Sequence, residues 1–264
     1  MSDLLVEKRG RVSVLTINRP ESLNALSVSL LTELTEAIAD FTRDPAQRVA
    51  IITGAGAKAF SAGADLKEMA KNVASGHRLP VSAQPDIAGI GDSEKPTIAA
   101  INGLAVAAGL ELSLCCDIRI CSNNAWFGVL EVKRGILAGV AVNVLPRLMP
   151  MGAVMDLMLS GDRLSADDAF RLGLVQKVTT PQDLMDEAMR KADMIASNSP
   201  TAVWGTKMVL KYWRNALLAE QHAYYQAVAH RVLLSGDVHE GPRAFAENRE
   251  PRFSNGWPDP LARN

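Results

Sequence analysis

Residues 97–116 read TIAAINGLAVAAGLELSLCC and form the longest weakly polar stretch of the chain. The stretch begins as a short apolar run, is interrupted by Asn102 and Gly103, and continues into a leucine-rich segment that contains Glu111. A membrane-spanning helix needs about 20 predominantly apolar residues and does not readily accommodate a carboxylate. We therefore predict a core strand followed by a buried helix.

Strand-like runs alternate with helix-like runs through the first 150 residues. Residues 4–6 and Val12–Ile17 flank Gly10 and predict a β-hairpin. Ser27 is a typical helix N-cap residue, and leucines at helical spacing follow it. The apolar runs at residues 49–53 and 96–101 predict two further buried strands. This alternation indicates an α/β fold.

The pattern changes after about residue 150. Residues 153–159, 165–172 and 182–197 predict helices, and residues 174–178 predict one last short strand. From residue 200 onward only helical patterns occur, so we divide the chain into a core of residues 1–199 and a helical region of residues 200–264. The apolar side chains of this region either pack on their own core or contact another subunit. They are Val203, Met208, Val209, Tyr212, Leu217, Tyr224, Val228, Val232, Leu233 and Phe245.

Composition excludes several classes of function. The 264 residues carry a formal net charge of -1, which provides no electrostatic attraction for nucleic acid or anionic lipid. Aromatic residues make up 5%, too few to suggest base-stacking platforms. Three cysteines, two of them adjacent at Cys115 and Cys116, indicate reduced thiols rather than a disulfide framework. With no visible targeting segment, we expect a cytoplasmic protein that binds no membrane.

Familiar cofactor and nucleophile motifs do not fit. The segment from Gly54 to Gly56 follows a strand, but small loop-like residues follow it where a dinucleotide-binding motif requires a helix. The sequence contains neither a phosphate-binding Gly-Lys-Ser/Thr loop nor a Gly-x-Ser-x-Gly elbow. The histidines at positions 77, 222, 230 and 239 do not form a metal-ligand spacing with the cysteines. We expect no metal ion and no separate cofactor.

Two loops of small residues each follow a predicted strand and precede an apolar helix. They cover residues 61–66 (SAGADL) and 106–110 (VAAGL). Small side chains let backbone N–H groups approach a ligand, and a helix start adds free N–H donors. Two such loops facing each other can form an oxyanion hole. Alternatively, the small residues only permit close packing of a strand on a helix.

Two glutamates lie in apolar sequence surroundings. Glu111 is flanked by leucines one turn into the second helix, and Glu131 lies between Leu130 and Val132. Apolar surroundings disfavour the charged carboxylate and raise its pKa, which suits proton transfer near neutral pH. Alternatively, Glu111 is only a favourable acid in the first turn of a helix, and Glu131 pairs with Lys133 or Arg134.

Several longer motifs, in order along the chain, resemble the crotonase superfamily, the family of enoyl-CoA hydratases and isomerases. The resemblance covers almost the whole chain. The similar segments are residues 18–20 and 24–26, the first loop at 58–68, the central segment at 95–117, residues 127–135, 160–161 and 173–175, and the tail at 244–253. It implies a spiral of ββα units with a helical C-terminal trimerisation region, assembled as a homotrimer or a dimer of trimers. It also implies that the substrate is an acyl-CoA and that the protein acts in a pathway such as fatty acid metabolism.

The resemblance also assigns residues. The backbone N–H groups of Ala64 and Ala108 are expected to bind the thioester oxygen. Glu111 and Glu131 match the two acids of the hydratases in the family. The expected coenzyme A and acyl path is lined by Ser22, Leu23, Ala62, Ala64, Asp65, Leu66 and Lys67.

The reaction itself follows from the chemistry of two acids and two N–H donors. Water attacks the β-carbon of a trans-2-enoyl thioester, and the thioester oxygen becomes an enolate oxygen that two donors stabilise. One carboxylate deprotonates the water while the other orients it, and an acid protonates the α-carbon. We therefore predict an enoyl-CoA hydratase. The alternatives are an isomerase, which needs Glu131 alone, another crotonase-type reaction such as dehydration or decarboxylation, and a catalytically silent CoA-binding or scaffold protein.

The chain departs from the common family pattern at several positions. Ala107 and Ala108 stand where glycines are common, Val129 and Leu130 where Gln-Pro often precedes the acid, and Asn248 where a lysine is frequent. Residues 139–142 (GVAV) replace a stretch that is usually richer in glycine. The changes in the second loop and at residues 139–142 affect the expected acyl specificity, and none removes a proposed catalytic group.

Overall fold

Ten strands in two sheets form the centre of the described fold. The computed structural model describes residues 2–74, 86–215 and 218–253. The strands are β1 (Leu4–Arg9), β2 (Val12–Ile17), β3 (Val49–Gly54), β4 (Ala59–Ser61), β5 (Thr97–Ile101), β6 (Leu104–Val106), β7 (Ile118–Ser122), β8 (Trp126–Gly128), β9 (Leu164–Ser165) and β10 (Lys177–Thr179). One sheet has the order β1-β2-β3-β5-β7-β10, and the other has the order β4-β6-β8-β9.

Ten described α-helices surround or follow the sheets. They are α1 (Val28–Arg43), α2 (Leu66–Ala74), α3 (Ala108–Cys115), α4 (Val140–Leu148), α5 (Met151–Ser160), α6 (Ala166–Arg171), α7 (Leu184–Ala196), α8 (Pro200–Asn215), α9 (Leu218–Leu234) and α10 (Asp237–Ala246). Two short 3-10 helices cover Pro20–Ser22 and Glu131–Arg134. The α/β fold class predicted from the alternation of patterns is confirmed.

The local sequence signals at the N-terminal end are confirmed in detail. Strands β1 and β2 pair antiparallel, and Gly10 in the turn between them has a φ of +59°. The Ser27 hydroxyl accepts a hydrogen bond of 3.2 Å from the Leu30 N–H, as expected of an N-cap. Helix α1 buries the apolar face that the spacing predicts, and its buried residues are Leu30, Leu34, Ile38 and Phe41.

The chain advances as a spiral in which each turn adds one strand to each sheet. Strands β3, β5 and β7 are parallel neighbours in the large sheet, and β4, β6 and β8 are parallel neighbours in the small sheet. Each of these pairs of strands is followed by a helix, which gives the expected ββα repeat. Because β4, β6 and β8 run side by side in one direction, their carboxyl ends lie at one edge of the small sheet.

One predicted strand lies elsewhere. The sequence predicts a strand over residues 174–178, whereas β10 covers Lys177–Thr179 and pairs with β7. Leu174 is fully buried in the turn after α6, where its N–H donates to the Ala169 carbonyl oxygen at 2.8 Å. A short apolar run looks the same in the sequence whether it forms a buried turn or a buried strand, so the pattern alone does not distinguish the two.

The C-terminal part of the described chain is helical, as predicted. Within residues 200–253 the described segments contain α8, α9 and α10 and no strand. None of the helices in the described ranges is both long enough and apolar enough to cross a bilayer. The division at residue 199 into a core and a trimerisation region stays a prediction.

Candidate active site

Three segments meet at the shared edge of the small sheet. The first loop begins at Ala62, directly after β4, and the second begins at Ala107, directly after β6. The third segment follows β8 and enters the 3-10 helix that starts at Glu131. Residues far apart in the chain therefore converge because their strands are parallel neighbours.

The two small-residue loops touch, and glycine is what permits this. A Cβ at Gly63, whose φ is +91°, would lie 3.0 Å from the Val106 carbonyl oxygen and 3.1 Å from the Ala108 nitrogen. A Cβ at Gly109 would lie 2.2 Å from the Ser61 carbonyl oxygen, which is sterically impossible. The close packing of the two loops is therefore confirmed, and their role in binding a ligand stays a prediction.

The N–H groups of Ala64 and Ala108 have no acceptor among the described residues, although neighbouring amides do. Around Ala64, the Leu26 N–H donates to Gly63 at 2.8 Å and the Asp65 N–H donates to Leu26 at 3.1 Å. Ala108 is the first residue of α3, where an N–H has no partner within the helix. Each loop thus contributes one unused backbone donor at the same edge of the sheet.

Ala107 has an unusual backbone conformation at the entry to α3. Its φ is 50° and its ψ is -132°, a combination that glycine adopts far more readily than alanine. Its N–H donates to the Gly128 carbonyl oxygen at 2.9 Å, and its own carbonyl accepts from the Glu111 N–H at 3.0 Å. These bonds hold the turn that directs the Ala108 N–H and the helix carrying Glu111.

Buried Asn24 fixes the segment that precedes α1 against the first loop. Its side-chain amide donates to the carbonyl oxygens of Ala55 at 3.0 Å and Ala59 at 2.8 Å, and its side-chain oxygen accepts from the Arg19 N–H at 3.0 Å. The Ala62 N–H donates to the Leu23 carbonyl oxygen at 3.0 Å. Ser22 and Leu23 therefore lie beside the first loop.

Side chains at the end of this loop have different surroundings. Asp65 forms an ion pair of 3.2 Å with Arg19, and its carboxylate accepts from the Glu68 N–H at 3.2 Å at the start of α2. Leu66 is half-buried, and Lys67 is exposed in the first turn of the same helix. The structure thus groups the whole predicted set of lining residues around one loop.

Glu111 is buried and held by backbone donors. It is 8% exposed in the first turn of α3, and its Oε1 accepts a hydrogen bond of 2.9 Å from the Ala141 N–H at the start of α4. Burial raises the pKa of Glu111, and the backbone N–H groups of Ala141, Val140 and Gly139 oppose that rise. Glu111 therefore lies in the first turn of α3 and also accepts from the start of α4, while its role in catalysis stays a prediction.

Glu131 is equally buried, and the backbone N–H groups of Leu130 and Glu131 oppose the rise of its pKa. It is 9% exposed, and its Oε2 is buried without a hydrogen-bond partner in the described part of the chain. Burial, and next the nearby charge of Glu111, raise the pKa of Glu131 to about 8. The alternative pairing with Lys133 or Arg134 is wrong for the described structure, since neither side chain forms an ion pair with this carboxyl group.

Tyr225 of α9 also reaches this region, and sequence reasoning missed it. The residue is 8% exposed and packs with Ala229, Leu137 and Val142. Burial, followed by the charges of Glu111 and Glu131, raises the pKa of Tyr225 to about 12. The sequence pattern selects the adjacent Tyr224, which is 76% exposed. The spacing of Tyr225 and Ala229 by one helical turn is the only local signal for the buried face.

Comparison with known proteins places the whole arrangement in a family. The model of the enoyl-CoA hydratase/isomerase family matches residues 7–256. The chain belongs to the enoyl-CoA hydratase/isomerase family.

Relatives and solved structures of this hydratase/isomerase family match over nearly the full chain. The short-chain-enoyl-CoA hydratase of Clostridium acetobutylicum is 36% identical, covering 95% of this chain and 97% of the relative. The (E)-benzylidenesuccinyl-CoA hydratase of Thauera aromatica is 38% identical, covering 94% and 97%. The crystal structure of a carnitinyl-CoA hydratase from Mycobacterium avium superposes with a TM-score of 0.82 at 35% identity, covering 95% and 98%. The predicted crotonase-like fold is confirmed.

Membership in the hydratase/isomerase family confirms that the chain is an enzyme of this class, while the roles of individual residues stay predictions. The structure brings together the two loops, both glutamates and the segment at Ser22 and Leu23. Three cysteines are free and buried, as expected of reduced thiols. Among the described residues, no group of histidine, cysteine or acidic side chains could hold a metal ion. The expectation that neither a metal nor a separate cofactor is needed also stays a prediction.

Proposed function

We propose that the chain is an enoyl-CoA hydratase that adds water across the trans-2 double bond of an acyl-CoA thioester. The observation that carries this proposal is the pair of buried glutamates, Glu111 and Glu131, whose charges interact and whose surroundings differ. Two neighbouring buried acids suit hydration, because one proton must be removed from water and another delivered to carbon.

The proposed site for the thioester oxygen is the pair of unused N–H groups of Ala64 and Ala108. As water adds to the β-carbon, negative charge moves onto this oxygen to form an enolate. Aligned backbone donors stabilise such charge without reorganising, and each typically contributes about 2.7–4 kcal/mol. The contact between the two loops at Gly63 supports this assignment, because it keeps both donors on neighbouring segments.

The two carboxyl groups take opposite roles in the proposed reaction. Burial raises the pKa of Glu111, and three backbone N–H groups oppose that rise; in the proposed reaction its carboxylate accepts a proton from water as the oxygen bonds to the β-carbon. Glu131, with a pKa of about 8, is neutral near pH 7 and donates its proton to the α-carbon of the enolate. The proton then passes from Glu111 to Glu131, which restores the starting state. Hydration consumes and releases no net proton at the enzyme.

Coenzyme A enters as part of the substrate, along the path proposed from Ser22, Leu23, Ala62, Ala64, Asp65, Leu66 and Lys67. Exposed Lys67 offers a positive charge near the mouth of this path, where a phosphate-bearing coenzyme would pass. The hydrogen bond between Ala62 and Leu23 supports one continuous wall formed by two segments that are distant in sequence.

One observation keeps a second reaction open. The unpartnered Oε2 of Glu131 could carry a proton between two carbons, as an isomerase requires, without any help from Glu111. The backbone donors that hold Glu111 favour hydration, since an isomerase has no need for a second oriented carboxylate. Both buried acids also argue against a silent CoA-binding scaffold.

We also propose that the chain works as a homotrimer or a dimer of trimers. Helix α8 leaves Met208, Val209, Leu210, Tyr212 and Trp213 exposed by 51%, 61%, 62%, 75% and 72% in the isolated chain. Such an apolar surface favours contact with a second copy. Sedimentation analysis should find an assembly at micromolar concentration, and a stable 28.4 kDa monomer would contradict this proposal.

A substrate series tests the proposed reaction. The enzyme is supplied with trans-2-enoyl-CoA thioesters of increasing chain length, and with (E)-benzylidenesuccinyl-CoA and carnitinyl-CoA, which are named for two of its relatives. Hydration is followed as loss of the conjugated thioester absorbance, and the product is identified by mass and chromatography. A 3-hydroxyacyl-CoA product supports the hydratase. A product of unchanged mass with a moved double bond supports the isomerase, and binding without either product supports the scaffold.

A further inference from the structure

The hydroxyl of Tyr225 is a polar group beside the two glutamates that the proposed reaction does not yet use. It lies on α9, and the buried face of this helix packs against Leu137 and Val142. Leu137 follows the turn that carries Glu131, and Val142 follows Ala141, the residue whose N–H holds Glu111. The cluster of Tyr225 and Ala229 therefore packs against both segments that position the two carboxyl groups.

No described residue makes a hydrogen bond to this hydroxyl. Within the described chain, Glu131 Oε2 is the only side-chain oxygen or nitrogen atom that is both fully buried and without a hydrogen-bond partner. Because the Tyr225 hydroxyl also lacks a partner, it must retain some exposure to solvent. Two polar atoms from different parts of the fold, a phenol donor and a carboxyl oxygen, are thus left without partners in one region. Buried polar groups in native proteins are nearly always hydrogen-bonded, so the unpartnered Glu131 Oε2 indicates a ligand or water beside it, and the accessible Tyr225 hydroxyl is free to bind the same molecule.

We propose that the Tyr225 hydroxyl donates a hydrogen bond to the oxygen that is added to the β-carbon, so that Tyr225 is a third side chain of the reacting centre beside Glu111 and Glu131. This inference rests on the proposed hydratase function.

The hydrogen-bonding capacity of a water molecule fits these three groups. Its two hydrogens point to the two carboxyl groups, one lone pair attacks the β-carbon, and the other lone pair accepts from Tyr225. In the product the new 3-hydroxyl still accepts from Tyr225, and in the reverse direction the same bond stabilises the departing oxygen. A phenol with a pKa of about 12 remains a donor throughout the working pH range.

A purely structural role is the alternative, in which the ring only fills space between α9 and the core. The two roles separate because Phe keeps the ring and its contacts with Leu137 and Val142 but lacks the donor. Tyr224 provides a matched control one residue earlier on the same helix, since it is 76% exposed.

The test combines turnover with binding in the full-length enzyme. Tyr225→Phe should lower kcat for hydration by about 2- to 12-fold, the usual effect of one net hydrogen bond. It should weaken binding of a 3-hydroxyacyl-CoA by a similar factor relative to the saturated acyl-CoA of equal chain length, which lacks the accepting oxygen. Tyr224→Phe should leave kcat and the ratio of the two dissociation constants at their wild-type values.

Two results would overturn the inference. Tyr225→Phe could retain wild-type kcat together with the wild-type ratio of dissociation constants, which would leave the ring as packing only. Alternatively, the Phe variant could weaken both ligands equally, which would indicate a distorted pocket rather than a lost donor. Failure of the wild-type enzyme to hydrate any enoyl-CoA would instead contradict the proposed function, so the two failures remain distinct.

Discussion

The two ends of the proposed reacting centre are built from different materials. At the thioester end, the candidate groups are backbone N–H donors of Ala64 and Ala108 in two loops that pack through glycines. At the β-carbon end, they are the side chains of Glu111, Glu131 and Tyr225, which come from α3, a 3-10 helix and α9. The first end depends on the shape of the main chain, whereas the second depends on the chemistry of individual side chains.

This difference determines which substitutions are informative at each end. A side chain can change at Ala64 without removing its donor, so only proline tests the backbone group directly. At the other end, a near-isosteric replacement removes one chemical property and leaves the packing in place. Turnover should therefore fall when either carboxyl group is replaced by glutamine, and it should change little when Ala64 is replaced by glycine.

The largest expected effects are at the carboxyl end. Glu111→Gln and Glu131→Gln keep size and most hydrogen bonds but cannot exchange a proton. Each variant should lose hydration by about 10²- to 10⁴-fold while still binding acyl-CoA, because general acid–base groups contribute that much. The double variant should lose much less than the product of the two factors, since groups acting as a unit are not additive. Steady-state kinetics and calorimetric binding of a saturated acyl-CoA check this.

Isomerase activity separates the two glutamates. If the enzyme shifts double bonds, Glu131→Gln should abolish the shift and Glu111→Gln should spare much of it. A Glu111→Gln variant with unchanged hydration would refute the two-glutamate mechanism and favour the isomerase reading.

The next largest effect is expected at the thioester end. Ala64→Pro removes the N–H itself and should lower kcat by at least about 10²- to 10³-fold, the typical cost of one oxyanion-hole donor. Ala64→Gly is the matched control, since it keeps the donor and should retain most activity. Circular dichroism and acyl-CoA binding establish that the Pro variant is folded. A folded Pro variant with near-normal kcat would show that Ala64 is not an oxyanion donor.

A smaller and graded effect should appear with pH, only at the carboxyl end. Glu131 must be protonated to donate to the α-carbon, and its pKa is about 8. We expect kcat/KM to fall above pH 8, and the slope of this decrease should approach about tenfold per pH unit. The phenol of Tyr225, with its pKa of about 12, does not titrate in this range. The residual activity of Glu131→Gln should lack this limb, and a wild-type profile that stays flat from pH 7 to 10 would contradict the assignment.

Stability provides an independent readout of the same carboxyl group. The folded-state pKa of Glu131 lies above its ordinary value of 4.5, so the folded state binds this proton more tightly than the unfolded state does. The corresponding stabilisation is complete below pH 4.5 and is lost as pH rises through about 8. The free energy of unfolding of wild type relative to Glu131→Gln should therefore decrease across this window. Denaturant unfolding of both proteins at matched concentration measures it.

The same contrast between main chain and side chains explains what the sequence could predict. The hairpin at Gly10, the Ser27 cap and the two small-residue loops depend on residues close in sequence, and all are confirmed. Local patterns do not place Glu131 near Glu111, since this requires β6 and β8 to be neighbours. The resemblance to the family supplied that step. Tyr225 was missed because no local feature links α9 to a turn that begins at Glu131.

The smallest expected effect concerns the backbone of the second loop. Ala107 has a φ of 50° and a ψ of -132°, which costs a non-glycine residue on the order of 1–3 kcal/mol. Glycine removes this strain but loses up to about 1 kcal/mol through unfolded-state entropy, so Ala107→Gly should raise the free energy of unfolding by about 1 kcal/mol. Ala108→Gly is the matched control, because Ala108 starts a helix without positive φ and should lose about 0.5–1 kcal/mol. Denaturant unfolding at equal protein concentration measures both, and a shift of the same sign in the two variants would show that Ala107 stores no strain.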